Sequence, residues 1–293
     1  MLLGILVTSP KVKKFMNYRK SQNLPGLPPV YDIWQKENHY LVPSTPETDY
    51  PCYIPPNVTG CGPILLPTLP VSKDDPSLQS WLERAPTVLI NLGTHIRMSD
   101  AMAREFAAGL KIVLDRKPDL QILWKLKTSG GLAMPSKVKS GSGFQGEGIQ
   151  KESLAAISAE VSCDRVRIVE WMSVSPLAVL QTGRIVCSVH HGGANSFHEA
   201  LSAGVPHVVL PCWLDTLEFA NRVEWLGIGV YGSRSATPSV EGHELSHALM
   251  KVLGGGIEAA QMKRKARELA HVSGKVGGRK KASRKILEIL EGA

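Results

Sequence analysis

The chain has 293 residues, 43% hydrophobic and 20% charged, which suits one large domain or two modest ones at about 100 to 200 residues each and excludes a disordered or fibrous chain. No stretch approaches the ~18 consecutive apolar residues of a membrane-spanning helix. The net charge of +8 is local, since residues 261–293 hold ten Lys or Arg against three Glu while the rest is near neutral.

In chain order, residues 1–7 are apolar but too short and without a basic flank, so they do not read as a signal peptide. Residues 11–20 carry Val12, Phe15 and Met16 and predict one helix that ends before Pro25. Thirteen of the twenty prolines lie from Pro25 to Pro86, which forbids long helices there. Residues 1–85 therefore stand apart from the rest.

From residue 86 the texture changes. Apolar β-type runs recur at 88–91, 121–126, 166–169, 185–189 and 207–210, each followed by a turn and a helical pattern. The clearest helix starts at Ser99-Asp100, repeats Met102, Phe106, Leu110 and Val113-Leu114, and closes near Pro118. Residues 129–148 are glycine-rich without an apolar period and read as a surface insertion. Further helices are expected at 153–161, 176–181, 196–203, 218–226, 244–253 and 259–270. Such alternation predicts an α/β fold, a Rossmann-like parallel sheet flanked by helices over residues 86–256. Residues 257–293 read as basic amphipathic helices, with Ile286, Ile289 and Leu290 on one face and a solvated basic side. No aromatic is interleaved with that charge, so nucleic acid is excluded as a partner. A weak contact with an anionic membrane surface is retained. The five cysteines are odd in number and widely spaced, which predicts reduced thiols in a cytoplasmic protein.

The run Cys187-Ser188-Val189-His190-His191-Gly192-Gly193-Ala194-Asn195-Ser196-Phe197-His198-Glu199-Ala200-Leu201 carries the chemistry. A buried strand ends at His190, two glycines permit a tight turn, and a helix begins at about Asn195 or Ser196. Free amides and the positive helix end make an anion site there. The dinucleotide fingerprint is missing, since the first strand leads into Gly93-Thr94-His95, and no Gly-Lys-Ser or Gly-Lys-Thr ends a phosphate loop. Zinc at His190, His191 and His198 lacks any HExxH or paired-cysteine support.

Residues 166–229 resemble the donor-binding signature of the family-1 UDP-glycosyltransferases. That pattern runs from a Trp through His-x-Gly-x-Asn-Ser-x-x-Glu to Gly-Val-Pro, then Pro with an acid four residues on. The chain reads Trp171, then His191 to Glu199, then Gly204-Val205-Pro206, then Pro211 with Asp215. The resemblance implies a GT-B fold and a UDP-sugar, with UDP-glucose the expected donor and neither a cofactor nor a metal required. By it, Trp171 would stack on uracil and the Met172 backbone would pair with the base edge. His191, the amides from Gly193 to Ser196, and the Asn195 and Ser196 side chains would hold the diphosphate. Glu199, placed on the first helical turn, would accept from the ribose hydroxyls. Asp215 and Thr216 would meet the sugar, and Gly93 and Thr94 would approach the β-phosphate. A core role for Trp171 and a solvated one for Glu199 are the alternatives, while Trp124 and Trp213 read as packing residues.

The chain departs from the pattern in three places. Trp171 is followed by Met172-Ser173-Val174 rather than x-Pro-Gln, and Asp215 by Thr216 rather than Gln. Some 85 residues precede the donor domain, against roughly 200 for a full acceptor domain. Neither His39 nor His95 sits in the context of the family's general base. Residues 1–85 are expected to be a remnant of an acceptor domain and its linker, which leaves part of the C-terminal apolar face uncovered. The expected activity is inverting, metal-independent hexose transfer to a hydroxyl of a small lipophilic acceptor, with a second chain as one source of the acceptor domain. A non-catalytic UDP-sugar-binding fragment or subunit is the alternative.

Overall fold

Apolar runs of four to six residues, too short for helices and rich in Val and Ile, form the centre of the fold in the computed structural model, which describes residues 9–26, 35, 37–127 and 151–292. The chain divides into two compact units, residues 1–42 with 53–59 and residues 43–52 with 60–293.

The smaller unit contains helix α1 (Pro10–Ser21), which buries no residue and exposes Phe15 and Tyr18. Strand β1 (Tyr40–Val42) pairs with β2 (Val58–Gly60), and the Asn57 side chain donates to the Asn38 carbonyl at 2.8 Å.

Among the described residues the larger unit is built on six strands: β3 (Thr87–Asn91), β4 (Gln121–Lys125), β5 (Val166–Val169), β6 (Ile185–His190), β7 (His207–Val209) and β8 (Gly229–Tyr231). They run parallel in the order β5-β4-β3-β6-β7-β8. The order reverses between β3 and β6, where an open parallel sheet forms a crevice at its carboxyl edge. The five expected strands are present with boundaries shifted by a residue or two; β8 is an addition.

Side chains alternate across the sheet. Val88, Ile90, Ile122 and Trp124 face α4 (Asp100–Arg116) and α9 (Gly242–Leu253), where Trp124 stacks on Phe106 with ring centroids 5.4 Å apart. Leu89 and Leu123 face α2 (Val71–Asp74), α3 (Pro76–Leu82) and α6 (Pro176–Leu180) through Val71, Trp81, Leu82 and Val179. Both faces are therefore covered, as a parallel sheet requires. Helices α4 and α9 approach so closely that a Cβ on Gly109 would lie 2.5 Å from the Gly242 carbonyl oxygen. The Ser99 hydroxyl caps α4 by accepting from the Met102 amide at 3.3 Å.

Some sequence expectations change. Residues 43–52 and 60–85 belong to the larger unit rather than to a separate N-terminal segment. Prolines there stand at helix starts: Pro70 precedes α2 and Pro76 opens α3, whose N-cap Asp75 accepts from the Leu78 amide. A missing N–H is harmless at such positions. Residues 153–161 are not one α-helix: Lys151–Ile157 is 3-10 and only α5 (Ser158–Ser162) is α-helical. A three-residue turn brings Leu154 and Ile157 to the same core. The glycine-rich stretch 129–148 lies outside the described residues.

Two helices complete the unit, α10 (Ile257–Lys275) and α11 (Arg279–Glu291). The start of α11 is tied to residues 60–63, with the Gly278 amide donating to the Cys61 carbonyl at 2.8 Å and Lys281 Nζ to the Gly60 carbonyl at 2.6 Å. Further along, Ile286, Leu287 and Leu290 are exposed. Among the described residues no helix is long and apolar enough to cross a membrane.

Candidate functional site

The loops leaving β5, β4, β3, β6 and β7 emerge side by side in that order, because their strands are consecutive neighbours. Each carries a residue singled out by sequence or by contact.

After β5, Trp171 is 62% exposed, so it is not a core tryptophan. Met172 next to it is buried and anchors the turn. At the end of β4, Lys125 places Nζ 4.2 Å from the centre of the Trp171 ring and 3.3 Å from the Gly93 carbonyl. Lys127 Nζ donates to the Thr94 carbonyl at 2.7 Å. After β3, the Asn91 side chain accepts from the Gly93 amide at 3.1 Å, and Gly93 adopts φ +81°.

After β6, the His191 ring sits between two glycines. A Cβ on Gly93 would lie 2.7 Å from His191 Cε1, and one on Gly193 would lie 2.5 Å from His191 Nε2. Only glycine permits that approach. His191 Nδ1 is buried without a partner among the described residues. Burial holds its pKa below the ordinary histidine value, Asp215 opposes that shift, and His95 adds to it. A neutral imidazole offers one N–H donor.

Helix α7 (Ala194–Ala203) follows, with Gly193 as N-cap and no side-chain cap. Its first amides are therefore free of intrahelical partners. Asn195 is exposed and Ser196 half-buried, with no side-chain partner for either among the described residues. The helix starts at Ala194, earlier than the sequence suggests, so Glu199 lies on the second turn rather than the first. Glu199 is half-buried, and burial raises its pKa to about 6.

Beneath the turn lies a buried histidine relay. His190 Nδ1 accepts from the Gly192 amide at 3.1 Å, so its Nε2–H donates to His207 Nδ1 at 2.9 Å. Both rings are buried and held neutral by desolvation, His190 well below its ordinary pKa and His207 down to about 3. With Nε2 committed to His207, His190 is a strut for the turn.

After β7 begins α8 (Leu214–Trp225). Asp215 is exposed and faces His191 electrostatically. Thr216 corrects a sequence expectation. It is 1% exposed, and its hydroxyl accepts from the Cys212 and Trp213 amides at 3.0 Å each while donating to the Trp213 carbonyl. Its hydrogen-bonding capacity is used within the loop, where it caps α8. Trp213 is the second correction: it is 41% exposed with its ring edge-on to His191, centroids 5.7 Å apart, so it belongs to the site and not to the core. The third addition is Lys125, whose only sequence signal was a lysine closing an otherwise apolar strand.

Trp171, Lys125, Gly93, His191 and Gly193 thus form one row from an exposed aromatic to a helix N-terminus. A flat ring, a cation and free amides in that order can take a base at one end and an anion at the other. A cavity of about 430 Å³ lined by Pro86, Leu120, Val186, Leu253, Ala259 and Lys263 is separate, at the amino-terminal edge of the sheet.

Residues 149–273 match the family described as erythromycin biosynthesis protein CIII-like, C-terminal domain. Glycosyltransferase sdnJ of Sordaria araneosa is 43% identical over 82% of this chain and 48% of its own length. UDP-glycosyltransferase 75C1 of Solanum lycopersicum is 29% identical over 70% of this chain and 40% of its own. The chain therefore spans less than half the length of either relative. Among solved structures, Phytolacca americana UGT2 complexed with UDP-2fluoro-glucose and pterostilbene superposes with a TM-score of 0.57 at 21% identity, covering 81% of this chain and 47% of that one. At that identity the likeness concerns the fold.

Proposed function

We propose that the chain carries the donor-binding, C-terminal part of a family-1 UDP-glycosyltransferase, a reading supported by its likeness to the EryCIII-like C-terminal domain and to glycosyltransferase sdnJ, and that it binds a UDP-sugar, with UDP-glucose the expected donor, for transfer of the hexose to a hydroxyl of a small lipophilic acceptor. The observation carrying this reading is the unbroken row from Trp171 to the opening amides of α7 across the reversal of strand order.

Uracil stacks on the open face of Trp171 and pairs with the Met172 backbone. The ribose hydroxyls donate to Glu199, as two neighbouring hydroxyls can to one carboxylate. The diphosphate accepts from His191, from the amides near Gly193 to Ser196, and from the Asn195 and Ser196 side chains. Gly93 and Thr94 approach the β-phosphate, and Asp215 accepts from the sugar hydroxyls. As the bond to the sugar breaks with inversion, the charge on departing UDP grows where these donors already point. Amides and the helix terminus then take charge that a metal would otherwise neutralise.

Calorimetry with UDP tests the site. Ser196→Ala should weaken UDP by about 1 kcal/mol, because a hydroxyl to phosphate hydrogen bond is lost. No heat at millimolar UDP with the unaltered chain would end the reading. Glucoside formation from UDP-glucose tests transfer itself.

A further inference from the structure

Lys125 has no evident reason to be where it is. It ends β4, in the register of Val169 and Asn91, and is 7% exposed. Among the described residues no carboxylate acts on its ammonium, and Lys127, which does, repels it; with burial the stronger cause, its pKa is held below the usual lysine range. A buried cation without an anion is unfavourable unless something compensates. Its two contacts, the Trp171 ring face and the Gly93 carbonyl, carry no formal charge.

Its position supplies the missing partner. The Gly93 carbonyl it touches belongs to the residue that packs on His191, and His191 packs on Gly193 at the start of α7. The ammonium therefore stands between the indole and the anion-binding turn, on a flexible stem with three donors.

Building on the UDP-sugar reading, we propose that Lys125 is the counter-charge for the donor's diphosphate, parked against Trp171 and Gly93 in the free protein and donating to a phosphate oxygen when the donor binds. Among the described residues of the row no other side chain carries a full positive charge; Lys127 stands beside it with Nζ on the Thr94 carbonyl. The indole then has two uses, one face holding the waiting ammonium and the other open for the base. A role limited to buttressing Trp171 predicts something different, because it would serve the base whether or not a phosphate is attached.

The test compares UDP with uridine on the full chain by calorimetry, using the unaltered protein, Lys125→Gln and Lys125→Arg. Lys125→Gln should weaken UDP about tenfold, as loss of a charge-assisted bond does, and leave uridine within about twofold. It should also flatten the dependence of UDP affinity on salt. Lys125→Arg should retain most of the affinity for UDP. Removing an unpaired buried charge should not lower the melting temperature, so folding does not confound the comparison. Equal losses for UDP and uridine would assign Lys125 to buttressing Trp171 and overturn the proposal, as would no loss for either. If the unaltered chain binds uridine and UDP not at all, the donor reading itself falls.

Discussion

Replacing Glu199 with Gln should make the empty protein more stable and the donor site worse. Burial raises the Glu199 pKa from 4.5 to about 6, and no other cause accompanies the shift, so the ionised carboxylate lacks compensation in the folded chain. A shift of that size corresponds to about 2 kcal/mol, and partial exposure discounts it to about 1–2 kcal/mol at neutral pH. Because the folded pKa is the raised one, that stability is fully present below pH 4.5 and is lost as pH rises through about 6. Glu199→Gln should recover it at pH 7.5, seen as a higher urea midpoint with an unchanged slope, and recover little at pH 4.5. The same variant should bind UDP about tenfold more weakly, since a charged acceptor of two ribose hydroxyls becomes a neutral one. Binding to the unaltered chain should weaken as pH falls through 6. A variant no more stable at pH 7.5, with undiminished UDP affinity, would refute both the burial argument and the ribose contact.

The buried histidines act with the opposite sign: desolvation lowers His198 to about 4, His207 to about 3, and His190 well below its ordinary value. Stability should be constant above pH 6.5 and fall below it as the unfolded chain takes up protons that these buried rings refuse, and a melting temperature flat from pH 7.5 to 5 would contradict this. Gly109→Ala forces a Cβ against the Gly242 carbonyl oxygen and should destabilise by about 1–3 kcal/mol while leaving UDP affinity alone, as denaturant unfolding and calorimetry would show. Thr216→Val leaves the Cys212 and Trp213 amides without their acceptor and should cost about 1–3 kcal/mol in unfolding experiments. Saturating UDP-glucose should leave that loss unchanged if Thr216 makes no sugar contact.

Most of the sheet was legible because its strands are buried on both faces and so read as apolar runs, as Gln121-Ile122-Leu123-Trp124 does. Strand β8 was not. Three residues are too few to show a period, and Gly229 reads as a turn, although a Cβ there would lie 2.6 Å from the His207 carbonyl oxygen and glycine is needed for pairing. Helices α2 and α3 were hidden by prolines that mark helix starts as well as loops. In the site, residue spacing located the turn at His191 to Gly193 and the helix behind it. Spacing does not report where a side chain's hydrogen bonds end, so Thr216 read as a ligand and Trp213 as packing. The contact of Lys125 with Trp171 spans 46 positions between neighbouring strands and exists only once the sheet is assembled.

Arg222 on α8 holds residues 43–52 in place. It pairs with Asp49 at 3.1 Å and Glu218 at 2.8 Å, donates to the Ser44 hydroxyl, and lies against the Tyr50, Phe197 and Phe219 rings. Anyone excising the sheet for separate expression therefore faces a constraint on where to cut. A cut at residue 86 would remove Trp81 and Leu82 from the core and deprive a nearly buried guanidinium of an ion partner. A version beginning ahead of Pro43 retains the clasp and should be the shortest that purifies as a monodisperse species.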